Sequence, residues 1–121
     1  MIREINSADW PTFCQRLSRE RAGAVLKLEI IEPGGAKSER ANATFEKMAF
    51  EKNEGCNDVI TLRLREGREI VHQIVEPIYI RLQPSSASDF NQIQIEAESG
   101  VTLLTLHPAI HPQMLEGFVS R

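Results

Sequence analysis

Ile60-Thr61-Leu62-Arg63-Leu64-Arg65-Glu66-Gly67-Arg68-Glu69-Ile70-Val71-His72-Gln73-Ile74 decides how this chain is read. Ile60, Leu62 and Leu64 alternate with polar residues, and Ile70, His72 and Ile74 resume the alternation after Gly67. A period of two with one apolar side is the pattern of half-buried strands. Cross-strand neighbours share a face, so the loop joining the two strands must hold an odd number of residues. A three-residue loop Arg65-Glu66-Gly67, with Gly67 left-handed, meets this condition. It sets Leu62 against Ile70 and Ile60 against His72. A two-residue Glu66-Gly67 turn would set Leu64 against Glu69 and is rejected.

The same period extends in both directions. Upstream, Leu26, Leu28 and Ile30 alternate with Lys27 and Glu29, and Pro33-Gly34-Gly35 ends that strand. The next strand falls within Ala43–Lys52. Its apolar residues change parity between Phe45 and Met48, which a β-bulge near Lys47 reconciles. Downstream, Glu76-Pro77 interrupts the run, because proline cannot donate to a ladder. Ile78, Ile80 and Leu82 then form one face of a strand, and Ile93, Ile95 and Ala97 one face of another. A Ser99-Gly100 turn pairs Ala97 with Thr102, Ile95 with Leu104 and Ile93 with Leu106. Val101 and Leu103 are left on the outer face, to be covered by the helix, the C-terminal segment or a second subunit.

One helix precedes the strands. Over residues 9–22, Trp10, Phe13, Cys14 and Leu17 recur at helical spacing. Asp9 suits the N-cap, Pro11 the first turn and Gly23 a left-handed close. Near the end, His111 to Gly117 has the Pro-first, Gly-last asymmetry of a short helical turn. The fold class expected is α+β: an N-terminal helix packed on a curved antiparallel sheet or small open barrel of six to seven strands, with a short C-terminal helical turn. Residues 1–121 are read as a single domain, as their number suggests.

Composition narrows function. Fourteen basic and 17 acidic residues leave a net charge of −3, which argues against a domain held to nucleic acid through phosphate contacts. A single tyrosine, with no row of aromatics for base stacking, counts against a small RNA-binding barrel. Cys14 and Cys56 have no C-x-x-C spacing and read as reduced thiols. No apolar stretch resembles a signal peptide or a membrane span, so a cytoplasmic protein is expected. G-x-G-x-x-G, G-x-x-x-x-G-K-[ST] and G-x-S-x-G patterns are absent. Glu96 and Glu98 share a strand face but are exposed by alternation.

Few residues remain as site candidates. His72 lies on the apolar parity, either as a buried acid–base or ligand group or as a neutral, hydrogen-bonded core histidine. The second reading is preferred, because no nucleophile or carboxylate is placed beside it. Arg63, Arg65 and Arg81, with Tyr79, lie on outward parity. They are candidates for an anion patch or simply for a solvated face. His107 and His111 are four apart, but a proline follows each and biases both away from helical geometry, so no metal is expected. Nor is any cofactor.

Several short stretches resemble a family of short bacterial proteins catalogued only as a domain of unknown function. They are Arg3-Glu4-Ile5, Trp10-x-x-Phe13 with Ser18 and Gly23, and His72, Ile74 and Pro77. Ile95-Glu96 with Gly100 and Thr102-Leu103-Leu104, and Pro112 to Gly117, complete the set. Ser99-Gly100 stands where that family often has Asp-Gly. The resemblance implies a stand-alone bacterial protein and supplies no activity or catalytic residue. A non-catalytic domain that binds a protein partner or a second copy of itself is the leading expectation. It rests on the missing motifs and on Val71, Val75, Val101 and Leu103 on outer faces. A small-molecule or anion-binding domain with weak activity around His72 is the alternative.

Overall fold

A computed structural model describes residues 2–52, 57–84 and 89–118. Cys56 and the loop positions 85–88 lie outside the described residues. Among the described residues the chain runs β1 (Arg3–Ile5), a 3-10 turn (Ser7–Asp9), α1 (Trp10–Arg21), β2 (Val25–Ile31), β3 (Lys37–Glu51) and β4 (Val59–Glu66). It continues through β5 (Arg68–Val75), β6 (Pro77–Pro84), β7 (Phe90–Ala97), β8 (Gly100–Ile110) and a closing 3-10 turn (Pro112–Leu115). The strands form one open antiparallel sheet in the order β1-β6-β7-β8-β2-β3-β4-β5. No helix among the described residues is long and apolar enough to cross a membrane.

The sheet has eight strands, not the six to seven expected. The addition is β1, whose three residues pair with β6 as Arg3 with Leu82 and Ile5 with Ile80. Three residues are too few to establish an alternation in sequence. The helix follows the expected stripe: Trp10, Phe13, Cys14 and Leu17 are all buried. Its start differs. Asp9 makes no side-chain capping bond to the helix. Instead Asn6 Oδ1 accepts from the Ala8 N–H at 3.1 Å, capping the 3-10 turn that feeds the helix. The Trp10 indole N–H donates to the Ile5 carbonyl at 3.0 Å, and this fastens the helix start to β1. Gly23, at φ 91°, turns the chain out of the helix as expected.

Two observations show that the sheet curls. β5 and β6 are six positions apart in the strand order, yet only Glu76 joins them. Six steps across a flat sheet span about 29 Å. Two Cα–Cα steps reach only about 7 Å. The sheet must therefore bend round until the end of β5 meets the start of β6. Glu76 makes the corner at φ 51° and donates its N–H to the Asp58 carbonyl at 2.7 Å. The second observation is His72 on β5, whose Nε2 lies 3.3 Å from Thr102 Oγ1 on β8. Those strands are four positions apart, about 19 Å if the sheet were flat. Only curvature brings the two side chains together, inside the trough.

The bulge expected near Lys47 is present. The β3–β4 register shifts between Phe45 and Lys47, so Phe45 opposes Leu64 while Met48 opposes Leu62. Both Phe45 and Met48 are buried as a result. β3 also begins six residues earlier than Ala43, in the polar stretch Lys37–Asn42. A second irregularity at Asn42, φ 63°, offsets that half against β2.

Two hairpin registers need correction. β4 and β5 pair Leu62 with His72, Ile60 with Ile74 and Leu64 with Ile70, around a turn with Gly67 at its tip. β7 and β8 pair Ile95 with Thr102 and Ile93 with Leu104 across Glu98-Ser99. Each register differs from the expected one by two residues, a slip that leaves every side chain on its expected face. Alternation is blind to such slips, and the glycines settle them. Gly67 occupies the turn tip at φ 75°. Gly100 belongs to the strand rather than the turn, because β2 passes too close: a Cβ there would lie 2.3 Å from the Ile31 carbonyl oxygen.

Three arginines strap the C-terminal segment to the N-terminal part. Arg21 donates Nε and Nη2 to the Ala109 carbonyl at 3.0 and 2.7 Å. Arg16 donates to the Met114 and Glu116 carbonyls, and its guanidinium lies 4.6 Å above the Phe118 ring. Arg3 reaches the Leu115 and Phe118 carbonyls at 3.4 Å.

Gly100→Ala should destabilise the protein by on the order of 2–3 kcal/mol through strain and backbone clash. Gly34→Ala, with open space at its Cβ position, should stay within about 0.5 kcal/mol. Urea titrations of the two variants check the contrast.

Candidate functional site

His72 stands near the middle of β5 with its side chain on the trough side, between Ile70 and Ile74. The curl sets it against Thr102, which is 4% exposed and faces the same interior from β8. Leu28 and Ile30 of β2, Ser38 and Arg40 of β3, and Ile70 join His72 around a groove of about 360 Å³. The groove is the mouth of the trough. It exists because the first half of β3 pairs with β2 alone and extends past the end of β4.

The electrostatics there are quiet. Burial holds the His72 imidazole below the usual histidine range, so the ring is neutral near pH 7. On the rim Arg40 pairs with Glu66 at 3.1 Å. Glu39 lies 3.6 Å from Lys27 and 3.5 Å from Lys37. Glu29, bonded by Lys37 at 2.6 Å, has its carboxyl held below the usual carboxylate range, chiefly by that hydrogen bond. A hydroxyl beside an imidazole invites a nucleophile–base reading. Two features weigh against it. Thr102 is enclosed within the sheet, and among the described residues the imidazole bonds only that hydroxyl, so no carboxylate there orients the ring.

The arginine candidates are not brought together. Arg63 on β4 pairs with Glu69 at 3.2 Å, and Arg65 with Glu46 at 3.1 Å. Arg81 on β6 lies five positions from β4 in the sheet. It donates to Glu4 at 2.9 Å and stacks on Tyr79, 3.6 Å from the ring centroid. The Tyr79 hydroxyl accepts from Gln94 at 3.1 Å, and Gln83 donates to Gln94 at 3.1 Å. Arg81 and Tyr79 thus belong to a polar ladder across β1, β6 and β7, with each guanidinium matched by a carboxylate. Such exposed pairs contribute little stability individually.

A larger groove of about 530 Å³ runs between α1 and the bulged half of β3, past Cys14, Ser18, Met48 and Phe50. Its serine hydroxyl is occupied. Ser18 Oγ lies 2.8 and 2.9 Å from the Cys14 and Met48 carbonyl oxygens, which share its one O–H, and accepts from the Met48 N–H at 2.9 Å. Burial pushes the Cys14 thiol up to about 12, which leaves it protonated and unreactive. His107 lies in β8, and His111 Nδ1 accepts from the Gln113 N–H at 3.3 Å in the last 3-10 turn. No group of three metal-ligating side chains gathers among the described residues.

Two features of the site were not read from sequence. Thr102 is the partner of His72. Its inward parity was legible, but its neighbour depends on the curl. The other is the free side of β5. Among the described residues β5 pairs with β4 and with no other strand. The Glu76–Asp58 bond continues the β4–β5 ladder, so the even-numbered residues of β5 turn their backbone groups toward β4. Glu69, Val71, Gln73 and Val75 turn theirs away from it. Val71 and Val75 are 47% and 42% exposed, whereas Val101 and Leu103 are half-buried.

No family model matches the chain, and neither curated proteins nor solved structures show a match to it.

Because the unfolded chain takes up a proton at His72 near pH 6.5 while the folded ring resists it, stability is full above that pH. It is lost as the pH falls below it toward the folded-state value. The urea midpoint should drop between pH 7.5 and 5.5. In His72→Leu/Thr102→Val, which replaces both partners with apolar groups, that part of the drop should vanish.

Proposed function

We propose that this protein is a non-catalytic interaction domain whose partner is a second copy of itself, joined through β5. The observation that carries the reading is an eight-residue strand at the sheet edge, with Val71 and Val75 exposed on it. Natural edges are usually shortened, bulged, charged or covered to prevent pairing. The opposite edge follows that rule, since β1 has three residues. β5 has no proline and no register shift against β4.

The composition of β5 favours a twofold partner. Centred on Gln73, an antiparallel pair of β5 strands sets Val71 of each copy opposite Val75 of the other and Gln73 opposite itself. No like charges meet, and four valines form cross-strand contacts on one face. The residues with outward backbone groups are the ones such a pairing needs. Because a single strand pair is small for an interface, micromolar rather than nanomolar affinity is expected. The family resemblance noted from the sequence adds no activity to this reading.

Sedimentation at roughly 100 μM, where a micromolar complex is populated, should show a dimer. Val71→Lys/Val75→Lys, at two exposed positions, should sediment as a folded monomer. The register has its own test. In a Cys56→Ser background, Gln73→Cys should oxidise readily to a linked dimer, because paired Cα atoms about 5.5 Å apart suit a disulfide. Glu69→Cys should not. A wild-type monomer at that concentration would refute the proposal.

A further inference from the structure

The mouth of the trough has a feature that packing alone does not demand. Among the described residues, Thr102 and Thr61 are the buried polar side chains; Thr61 has the outward parity of β4, so Thr102 stands among the aliphatic and aromatic groups of the buried interior. An apolar pair in place of His72 and Thr102 would avoid the desolvation that a buried hydroxyl and imidazole incur. The imidazole, with Thr102 buried behind it, borders an open concavity instead of a closed core. One imidazole nitrogen bonds Thr102. The other forms no side-chain hydrogen bond with the described residues, so whichever tautomer is present, one polar atom of a groove-lining ring remains unused.

We propose that this groove is a binding site for a small, uncharged amphiphile: an aliphatic portion laid on Leu28, Ile30 and Ile70, and one alcohol or amide group bonded to His72. The volume of about 360 Å³ is at the low end for ligand sites, which are often the mouths of β-barrels and similar clefts. The absence of charge on the ligand follows from the rim. Arg40 is matched by Glu66, and Glu39 by Lys27 and Lys37. An anion or cation would have to break one of these pairs or enter an apolar space unmatched. A hydroxyl or amide loses little on entering and recovers a hydrogen bond at the imidazole. Val71 of β5 also borders this groove, but the proposal rests on the imidazole and the β2 and β3 walls, not on β5 pairing.

The test is an NMR titration of the full chain, labelled at histidine rings and isoleucine and leucine methyls. The ligands are 1-hexanol and hexanamide, with hexanoate and hexylammonium as charged counterparts of the same length. The neutral ligands should shift the His72 ring and the Leu28, Ile30 and Ile70 methyls, saturating on the order of 1 mM, as burial of a few methylenes implies. Both ions should bind at least about tenfold more weakly, the factor that 1.4 kcal/mol supplies. His72→Leu should weaken hexanamide by a similar factor. Because that variant alters the interior, Ser38→Trp, on the exposed rim, gives a second arm: it should abolish the shifts by blocking the mouth while leaving the fold intact. Shifts scattered over the molecule, or no shifts at saturating hexanamide, would overturn the proposal. Equal or tighter hexanoate binding would also do so, since it would make the groove an anion site centred on Arg40.

Discussion

A single residue, Glu76, joins two strands that belong near opposite sides of an eight-stranded sheet, and the rest of the architecture answers to that short link. A chain that must pass from β5 to β6 within about 7 Å cannot lie on a flat sheet. The bend it imposes turns one face into a trough and gathers the apolar residues of seven longer strands there. It also carries β5 across the interior to within reach of β8. Glu76 adopts a left-handed conformation that is uncommon for residues other than glycine, asparagine and aspartate. Its N–H bond to Asp58 repays part of that strain. The proline that follows cannot donate to a ladder, so the sheet begins anew in another direction.

Curvature also explains why the two ends of the trough differ. At one end α1 packs its stripe against β3, with Trp10 edge-on to Phe50 at 5.7 Å and Phe13 edge-on to Phe118 at 6.4 Å. At the other, β3 extends beyond β4 and leaves a gap that no helix fills. His72 and Thr102 sit there, at the boundary between packed interior and open groove. Had the first half of β3 stopped at Ala43, where the apolar pattern begins, the groove would have lost the wall made by Ser38 and Arg40.

Most of this was legible in particular residues. The helical stripe from Trp10 to Leu17, the inward parity of His72 and the bulge at Lys47 all follow from spacing, because burial on one face leaves a periodic trace. What escaped has physical causes. β1 is shorter than one period of any pattern. The first half of β3 is polar on both sides, so nothing distinguishes it from a loop. The hairpin registers slipped by two because an even slip conserves every face, and only Gly67 at its turn tip and the close approach of Ile31 to Gly100 reveal the true pairings. The Arg63 and Arg81 candidates came from parity alone, which cannot show that each guanidinium has a carboxylate partner or that curvature and strand order keep the two apart. The arginine straps were invisible for a related reason. Their acceptors are backbone carbonyls about a hundred residues away, and no side-chain pattern marks a carbonyl.

The adjacency of β2 and β8 bears on how the protein comes into being. β2 is complete by Ile31, but one of its two neighbours is β8, which follows five further strands in the chain. Arg16 and Arg21 likewise find their carbonyls only in residues 109–116. A nascent chain leaving the ribosome therefore carries β2 with one edge unsatisfied while β3 to β7 are being made. The fold can close only once β8 and residues 109–116 have emerged, and until then that edge is the part of the molecule most in need of a chaperone.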